Sequence, residues 1–326
     1  MRAVQVTRLD GPNSVEVLDV DEPTATSDQV VIDVHAAGVA FPDALLTRGL
    51  YQHKPDPPFT PGSEVAGVVR SAPERSGFAP GDRVVGLTGL SGGMAEVAVL
   101  APENVFPLPD AVSFAAGAGL LFNDLTVHFA LAERGRLAAG ETLLVHGAAG
   151  GIGTSALRLG ALLGAGRTIA VVSTDAKADV ARTAGATNVV LVDGWLTAVK
   201  ELTGGRGVDV VLDPVGGDRF TDSLRSLAPS GRLLVVGFTA GDIPTVKVNR
   251  LLLNNIDVVG VGWGAWFTTH SGYLRRQWAV LQPLLASGEL SAPQPQEFAF
   301  DRAGDAIGAL ERREALGKVV LLTRDV

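Results

Sequence analysis

The chain has 326 residues, 46% of them hydrophobic and 19% charged, which supplies apolar material for two buried cores and argues against disorder. A net charge of -8, with no local cluster of Arg and Lys, leaves no basic face for nucleic acid. Zero cysteines exclude disulfides, thiolate nucleophiles and thiolate metal sites together.

In chain order, the N-terminal MRAVQVTRLD carries no apolar h-region, and no apolar run approaches the ~20 residues that span a bilayer. A cytoplasmic protein that makes no membrane contact is expected. Up to about Pro109 the chain reads as short strands broken by Gly and Pro, among them QVVIDVHAAGV, EVAGVVR, GDRVVGL and AEVAVL, which predicts a barrel-like β unit. From about residue 120 to 263 the character changes. Apolar runs (TLLVHG, TIAVVS, NVVLV, VDVVLD, RLLVVG, IDVVGVG) alternate with helical patterns near 151–163, 176–184, 195–203 and 218–227, the pattern of a parallel sheet covered on both faces. The tail predicts helices near 273–286 and 301–311 and a closing strand KVVLL, too short a segment for a third core. The expected domains are 1–120, with 265–326 packing back on it, and 121–264.

The five histidines (His35, His53, His128, His146, His270) are scattered and form no HxxxH or HExxH pair, so no metal centre is expected. The chemistry-bearing stretch is VHGAAGGIG. Against the dinucleotide pattern GxGxxG it reads Ala148-Ala149-Gly150-Gly151-Ile152-Gly153, with Ala for the first glycine. A strand precedes it, a helix follows, and a second strand comes about twenty residues on. Small residues there let the backbone approach a pyrophosphate, while first-turn N–H groups and the helix dipole face its charge. A bare βα turn is the alternative. The second strand ends AVVSTDAK, with Val171 and Val172 where an acid would accept from the adenosine 2′-hydroxyl. Ser173 and Lys177 follow, a hydrogen-bond donor and a charge, with Asp175 between them. This predicts NADPH over NADH, although Lys177 is equally readable as a solvated helix-face residue.

Several stretches share one order and spacing: AAGVAFPDALLTRGLY (36–51), PFTPGSEVAGVV (58–69), GDRVVGL, GGMAEVAV (92–99), LLFNDLTVHFAL (120–131), VHGAAGGIG, VDVVLDPVGG and GKVVLL. Over nearly its whole length the chain resembles the medium-chain dehydrogenase/reductase superfamily, and most of all its zinc-free quinone oxidoreductase branch. Zinc alcohol dehydrogenases carry Gly-His-Glu where this chain reads Gly62-Ser63-Glu64, and they carry a cysteine-bound structural zinc. The resemblance implies an α/β protein with a GroES-like, β-rich catalytic domain, a Rossmann doubly wound parallel-sheet cofactor domain, and a cleft between them.

Residue by residue, the resemblance implies cofactor contacts from Phe41, from Asn123 and Thr126 on a helix beside the nicotinamide ribose and phosphate, and from Ala149, Gly150, Gly151, Ile152 and Gly153 in the pyrophosphate turn. Ser173 and Lys177 would meet the 2′-phosphate. Gly237, Phe238, Gly262 and Trp263 would border the nicotinamide, and Lys318 would lie nearby. Phe238 and Trp263 also read as core aromatics, and Asn123 as a helix cap. Tyr51 matches a tyrosine that protonates substrate in related enoyl reductases, or else it lines the pocket. Three positions depart from the pattern: Ala40 replaces an asparagine, Val192 a tyrosine, and the arginine expected at Thr47 stands at Arg48.

Hydride transfer from NADPH to a quinone or conjugated carbonyl is the expected activity, because such acceptors delocalise negative charge without a Lewis acid. Two alternatives stand beside it: reduction of an enone or enoyl thioester with Tyr51 as proton donor, and an NADPH-binding sensor or structural protein without turnover. Strand 256–263 is expected at the sheet edge, an exposed ladder that needs a cover; the resemblance implies that it pairs with the same strand of a second copy across a two-fold axis, giving a homodimer.

Overall fold

The computed structural model describes residues 1–324. β1 (Arg2–Val6) pairs antiparallel with β2 (Val15–Asp19). β3 (Val30–Val39) is ten residues long and its first half alternates between buried and half-buried positions, as a strand with one face on a core must. It leads into α1 (Phe41–Leu46), where Pro42 in the first turn has no N–H to waste. β4 (Glu64–Ser71), β5 (Arg83–Leu87), β6 (Val97–Leu100) and β7 (Val105–Pro107) follow. Val30, Ile32, Val34, Val65, Val69, Val84 and Leu100 close a core between them. α2 (Phe114–Gly117) starts at Ser113, whose hydroxyl accepts the Ala116 N–H. α3 (Leu121–His128) runs on into a π-helical stretch over Phe129–Arg134.

The alternating region then delivers β8 (Thr142–His146), α4 (Gly151–Leu162), β9 (Arg167–Val172), α5 (Asp175–Thr183), β10 (Asn188–Leu191), α6 (Trp195–Leu202), β11 (Val208–Asp213), α7 (Phe220–Ser226) and β12 (Leu227–Val235). α8 (Asn249–Asn254), β13 (Asp257–Gly260) and α9 (Trp263–Phe267) complete it. The six strands are parallel, in the order β10-β9-β8-β11-β12-β13. β8 is the first strand of this sheet and lies in its middle, so the order reverses between β8 and β11; that crevice is where doubly wound sheets bind ligands. Every residue of β11 is buried, consistent with helices on both faces.

The tail supplies α10 (Tyr273–Ser287), β14 (Gln296–Ala299), α11 (Ala303–Glu311) and β15 (Val319–Leu322). β15 pairs antiparallel with β3, which places both tail strands in the first sheet, of order β14-β15-β3-β4-β5-β7 with β6 also on β3. Contacts divide the chain into a first unit, Met1–Phe122 with the segment from Gly272 onward, and a second unit, Asn123–Ser271. Residues 265–271, expected to begin the returning segment, cluster with the second unit instead. The reason is aromatic: Trp266 packs on Phe129 at 5.8 Å between ring centroids, and Phe267 on Trp263 at 4.7 Å. The strand expected over 256–263 is likewise shorter, because Trp263 starts α9.

Candidate functional site

In the second unit the site begins where β8 ends. Gly147, at φ +57, reverses the chain in a conformation that glycine adopts without strain. Gly150 caps α4 without a side-chain hydrogen bond, and no acid lies in the first turn, so the N–H groups of Gly151, Ile152 and Gly153 carry no anionic cap. A Cβ on Gly153 would stand 2.3 Å from the Gly147 carbonyl oxygen and 2.5 Å from the Ala148 Cα, so glycine is what lets the helix lie on its own turn. Ala149 is buried beside them. Asn123, buried on α3, brings its side-chain amide to the start of α4: a Cβ on Gly151 would meet Asn123 Nδ2 at 2.4 Å. Thr126, one helical turn further, is buried on the same helix. A small-residue turn, three uncapped N–H groups and a neighbouring amide can together hold a diphosphate.

At the end of the adjacent β9, Lys177 Nζ donates to Ser173 Oγ at 3.3 Å, which brings the two predicted residues together. Asp175 lies in the first turn of α5, where its charge complements the helix dipole, and Thr174 caps that turn by accepting the Lys177 N–H. Val192 is half-buried against the core cluster around Val171 and Val190. On the other side of β8, Gly237 and Phe238 follow β12, and Phe238 is 36% exposed, which rules out its reading as a core aromatic. Trp263 resolves the opposite way. It is buried and packs on Phe267, with Gly262 as the N-cap of α9.

Sequence reasoning did not single out His146, the last residue of β8. Its Nε2 lies 2.9 Å from Ser223 Oγ, which donates its own proton to the Arg219 carbonyl. The imidazole is therefore the Nε2–H tautomer and donates to Ser223. Burial, with a smaller contribution from the Arg219 charge, pushes its pKa down to about 3. It is a neutral, packed histidine in edge contact with Trp195.

The first unit has its own group of buried charges. Phe41 opens α1, two residues before Asp43, which is fully buried. The Asp43 carboxylate accepts the N–H of Ala40 at 2.8 Å and of Gly62 at 3.0 Å, tying the start of α1 to the loop before β4. Glu64 accepts the Phe122 N–H at 2.9 Å and forms a buried ion pair with Lys318 at 2.8 Å. Lys318, assigned to the cofactor by resemblance, thus has its charge engaged by Glu64. Tyr51 is half-buried against the cluster of Val6, Leu46 and Phe59. Burial, then the charge of Asp43, raises its pKa, so it stays a neutral phenol at pH 7. Lone acids inside apolar runs, such as Asp43 in FPDALL and Glu64 in SEVAGVV, were the available signal for this cluster. Among the described residues no three or more His, Cys, Asp or Glu side chains are grouped to hold a metal ion.

Residues 26–110 match the family model described as alcohol dehydrogenase GroES-like domain, and residues 151–279 match that of zinc-binding dehydrogenase. The chain is 35% identical to a quinone oxidoreductase-like protein 2 homolog of Nematostella vectensis, over 99% of this chain and 89% of the relative. A probable oxidoreductase from Mycobacterium abscessus superimposes with a TM-score of 0.90 at 45% identity, covering 99% of this chain and 98% of that one. The Escherichia coli quinone oxidoreductase complexed with NADPH does so with a TM-score of 0.89 at 28% identity, covering 99% and 100%.

Asp43 sets a pH test. Burial raises its pKa from the ordinary 3.8 to about 6, against the two backbone N–H bonds and the Lys318 charge, which pull it down. The unfolded chain therefore releases this proton at lower pH than the folded protein does. Its contribution to stability is fully present below about pH 4 and is lost as pH rises toward 6, by on the order of 3 kcal/mol. Urea unfolding of Asp43→Asn at pH 4 and pH 6 is expected to lack this fall relative to the parent protein; parallel pH profiles would show that Asp43 does not titrate in this range.

Proposed function

The chain belongs to the zinc-free quinone oxidoreductase branch of the medium-chain dehydrogenase/reductase superfamily, and from that premise we propose that it is an NADPH-dependent reductase of quinones or similar conjugated carbonyls. The observation that carries the reading is the glycine-built, uncapped start of α4 beside the paired Ser173 and Lys177. The former suits a diphosphate, the latter a 2′-phosphate, and Val171 and Val172 leave no acid on β9 to repel it. The relative solved with NADPH supports the same choice.

Bound NADPH supplies the hydride. The chain's own residues would bind and orient it: N–H groups of Gly151, Ile152 and Gly153 would hold the diphosphate with the Asn123 amide beside them, and Ser173 and Lys177 would hold the 2′-phosphate. A quinone takes up charge within its own ring and is protonated by solvent, so few polar groups are needed. A second reading, reduction of an enone or enoyl thioester, is favoured by Tyr51, whose neutral phenol holds a proton at Oη near neutral pH.

The second unit also offers a self-complementary edge. β13 ends its sheet, Val258 on it is 37% exposed, and Leu252 and Leu253 of the neighbouring α8 are over 70% exposed. An uncovered strand edge beside apolar side chains invites pairing, and we assign it to a second copy of the chain across a two-fold axis.

Three measurements test these readings. Wild-type protein is expected to oxidise NADPH with a simple quinone, and Tyr51→Phe to keep that turnover while losing roughly 100-fold with an enoyl thioester; no turnover with either acceptor would reject the reductase. In a titration, Lys177→Ala is expected to weaken NADPH about 10-fold and leave NADH unchanged; equal affinities of the wild type for the two cofactors would contradict the Ser173–Lys177 assignment. The solution mass at micromolar concentration should be twice the 33.7 kDa of one chain. A monomeric mass would remove the dimer.

A further inference from the structure

The motif DPVGG at the end of β11 has no part in the function argued above, yet its backbone is tied in both directions. Asp213 Oδ1 accepts two backbone N–H groups, from Val215 at 2.8 Å and Gly216 at 2.9 Å, which closes the chain into a tight Asx turn. One side of this turn meets the phosphate turn: a Cβ on Gly147 would lie 3.1 Å from Val215 Cγ2. The other side carries the segment after β12. Thr239 donates to the Pro214 carbonyl at 3.1 Å and Ala240 to the Val215 carbonyl at 2.9 Å. Gly216, at φ +65, faces Phe238, whose Cδ1 would lie 3.0 Å from an added Cβ. The second carboxylate oxygen, Oδ2, is buried and has no hydrogen-bond partner among the described residues. Asp213 is therefore held for what Oδ1 does to the backbone.

The sheet order says what this turn serves. Ser173 and Lys177 lie beyond β9 on one side of β8, and the phosphate turn lies beyond β8 itself. A dinucleotide whose 2′-phosphate is on the β9 side and whose diphosphate is at α4 must extend its other half across β11 and β12. That is where the Asp213 turn and Phe238 stand.

We infer that Asp213 is a positioning residue: by folding residues 213–216 onto the phosphate turn and under Phe238, it sets the surface that receives the nicotinamide half of the cofactor and leaves the adenosine half to other residues. The inference rests on the NADPH reading of the preceding subsection. It predicts a separation between two ligands. NADPH uses both halves, whereas adenosine 2′,5′-bisphosphate uses only the β9 side.

The experiment is equilibrium binding of NADPH and of adenosine 2′,5′-bisphosphate to wild type, Asp213→Asn, Asp213→Ala and Gly216→Ala, with the melting temperature of each. Asn keeps an acceptor at the Oδ1 position, so Asp213→Asn is expected to bind both ligands within about twofold of wild type. Removing two backbone hydrogen bonds in Asp213→Ala is expected to weaken NADPH about 10-fold or more while the bisphosphate stays within about twofold. Gly216→Ala perturbs the same turn from its other end, leaves the carboxylate in place, and should give the same separation if Asp213→Ala does not fold. Three results would overturn the role: NADPH binding by Asp213→Ala and Gly216→Ala as tight as wild type, equal loss of both ligands, or Asp213→Asn behaving like Asp213→Ala. Wild-type protein that bound neither ligand would instead reject the NADPH reading itself, so the two failures are distinguishable.

Discussion

The contact on which the second unit depends is the approach of α4 to the turn that precedes it. With a Cβ barred at Gly153 by the Gly147 carbonyl, helix and turn share a space too small for any side chain. That closeness sets the first N–H groups of the helix directly beyond the carboxyl end of β8. The neighbouring pieces follow from it: Asn123 reaches Gly151 because no side chain stands between them, and Val215 leans on Gly147 for the same reason. The site is defined by what has been left out of it as much as by what has been put in.

Buried carboxylates do the complementary work. Asp43 and Asp213 sit in different units and neither is arranged as an acid or base; each accepts two backbone N–H groups and so pins a loop that a hydrophobic side chain could not. Removing such an acid from water is unfavourable, and the upward pKa of both reflects it. The hydrogen bonds offset that burial, and two loops gain a fixed shape. The Glu64–Lys318 pair meets the same problem with a counter-charge.

The Rossmann strands were legible because a sheet covered on both faces writes itself as unbroken apolar runs, and five of the six start within one residue of the predicted starts; β12 starts at Leu227, five residues before the predicted Arg232. The short helices α1, α2, α8 and α9 were not, since four to six residues hold too little periodicity to be recognised. The glycine turn, Ser173 and Lys177 could be read because each has a local pattern. Asp43, Glu64, His146 and Asp213 could not, because a single polar letter in an apolar run does not say which distant backbone group it meets. Trp263 shows the converse limit: an aromatic near a strand end reads equally as site or as core, and Trp263 is buried against Phe267.

The pairing of Leu322 with Ala36 ties the two ends of the chain into one sheet, with the whole Rossmann region inserted between. During synthesis the second half of β3 emerges before the inserted region and waits for β15, which follows it. The inserted region, whose strands are all local to it, can mature first, while the amino-terminal lobe keeps an open, apolar seam. Nascent chains of this protein would thus carry an unfinished amino-terminal lobe from the emergence of β3 until β15 joins it.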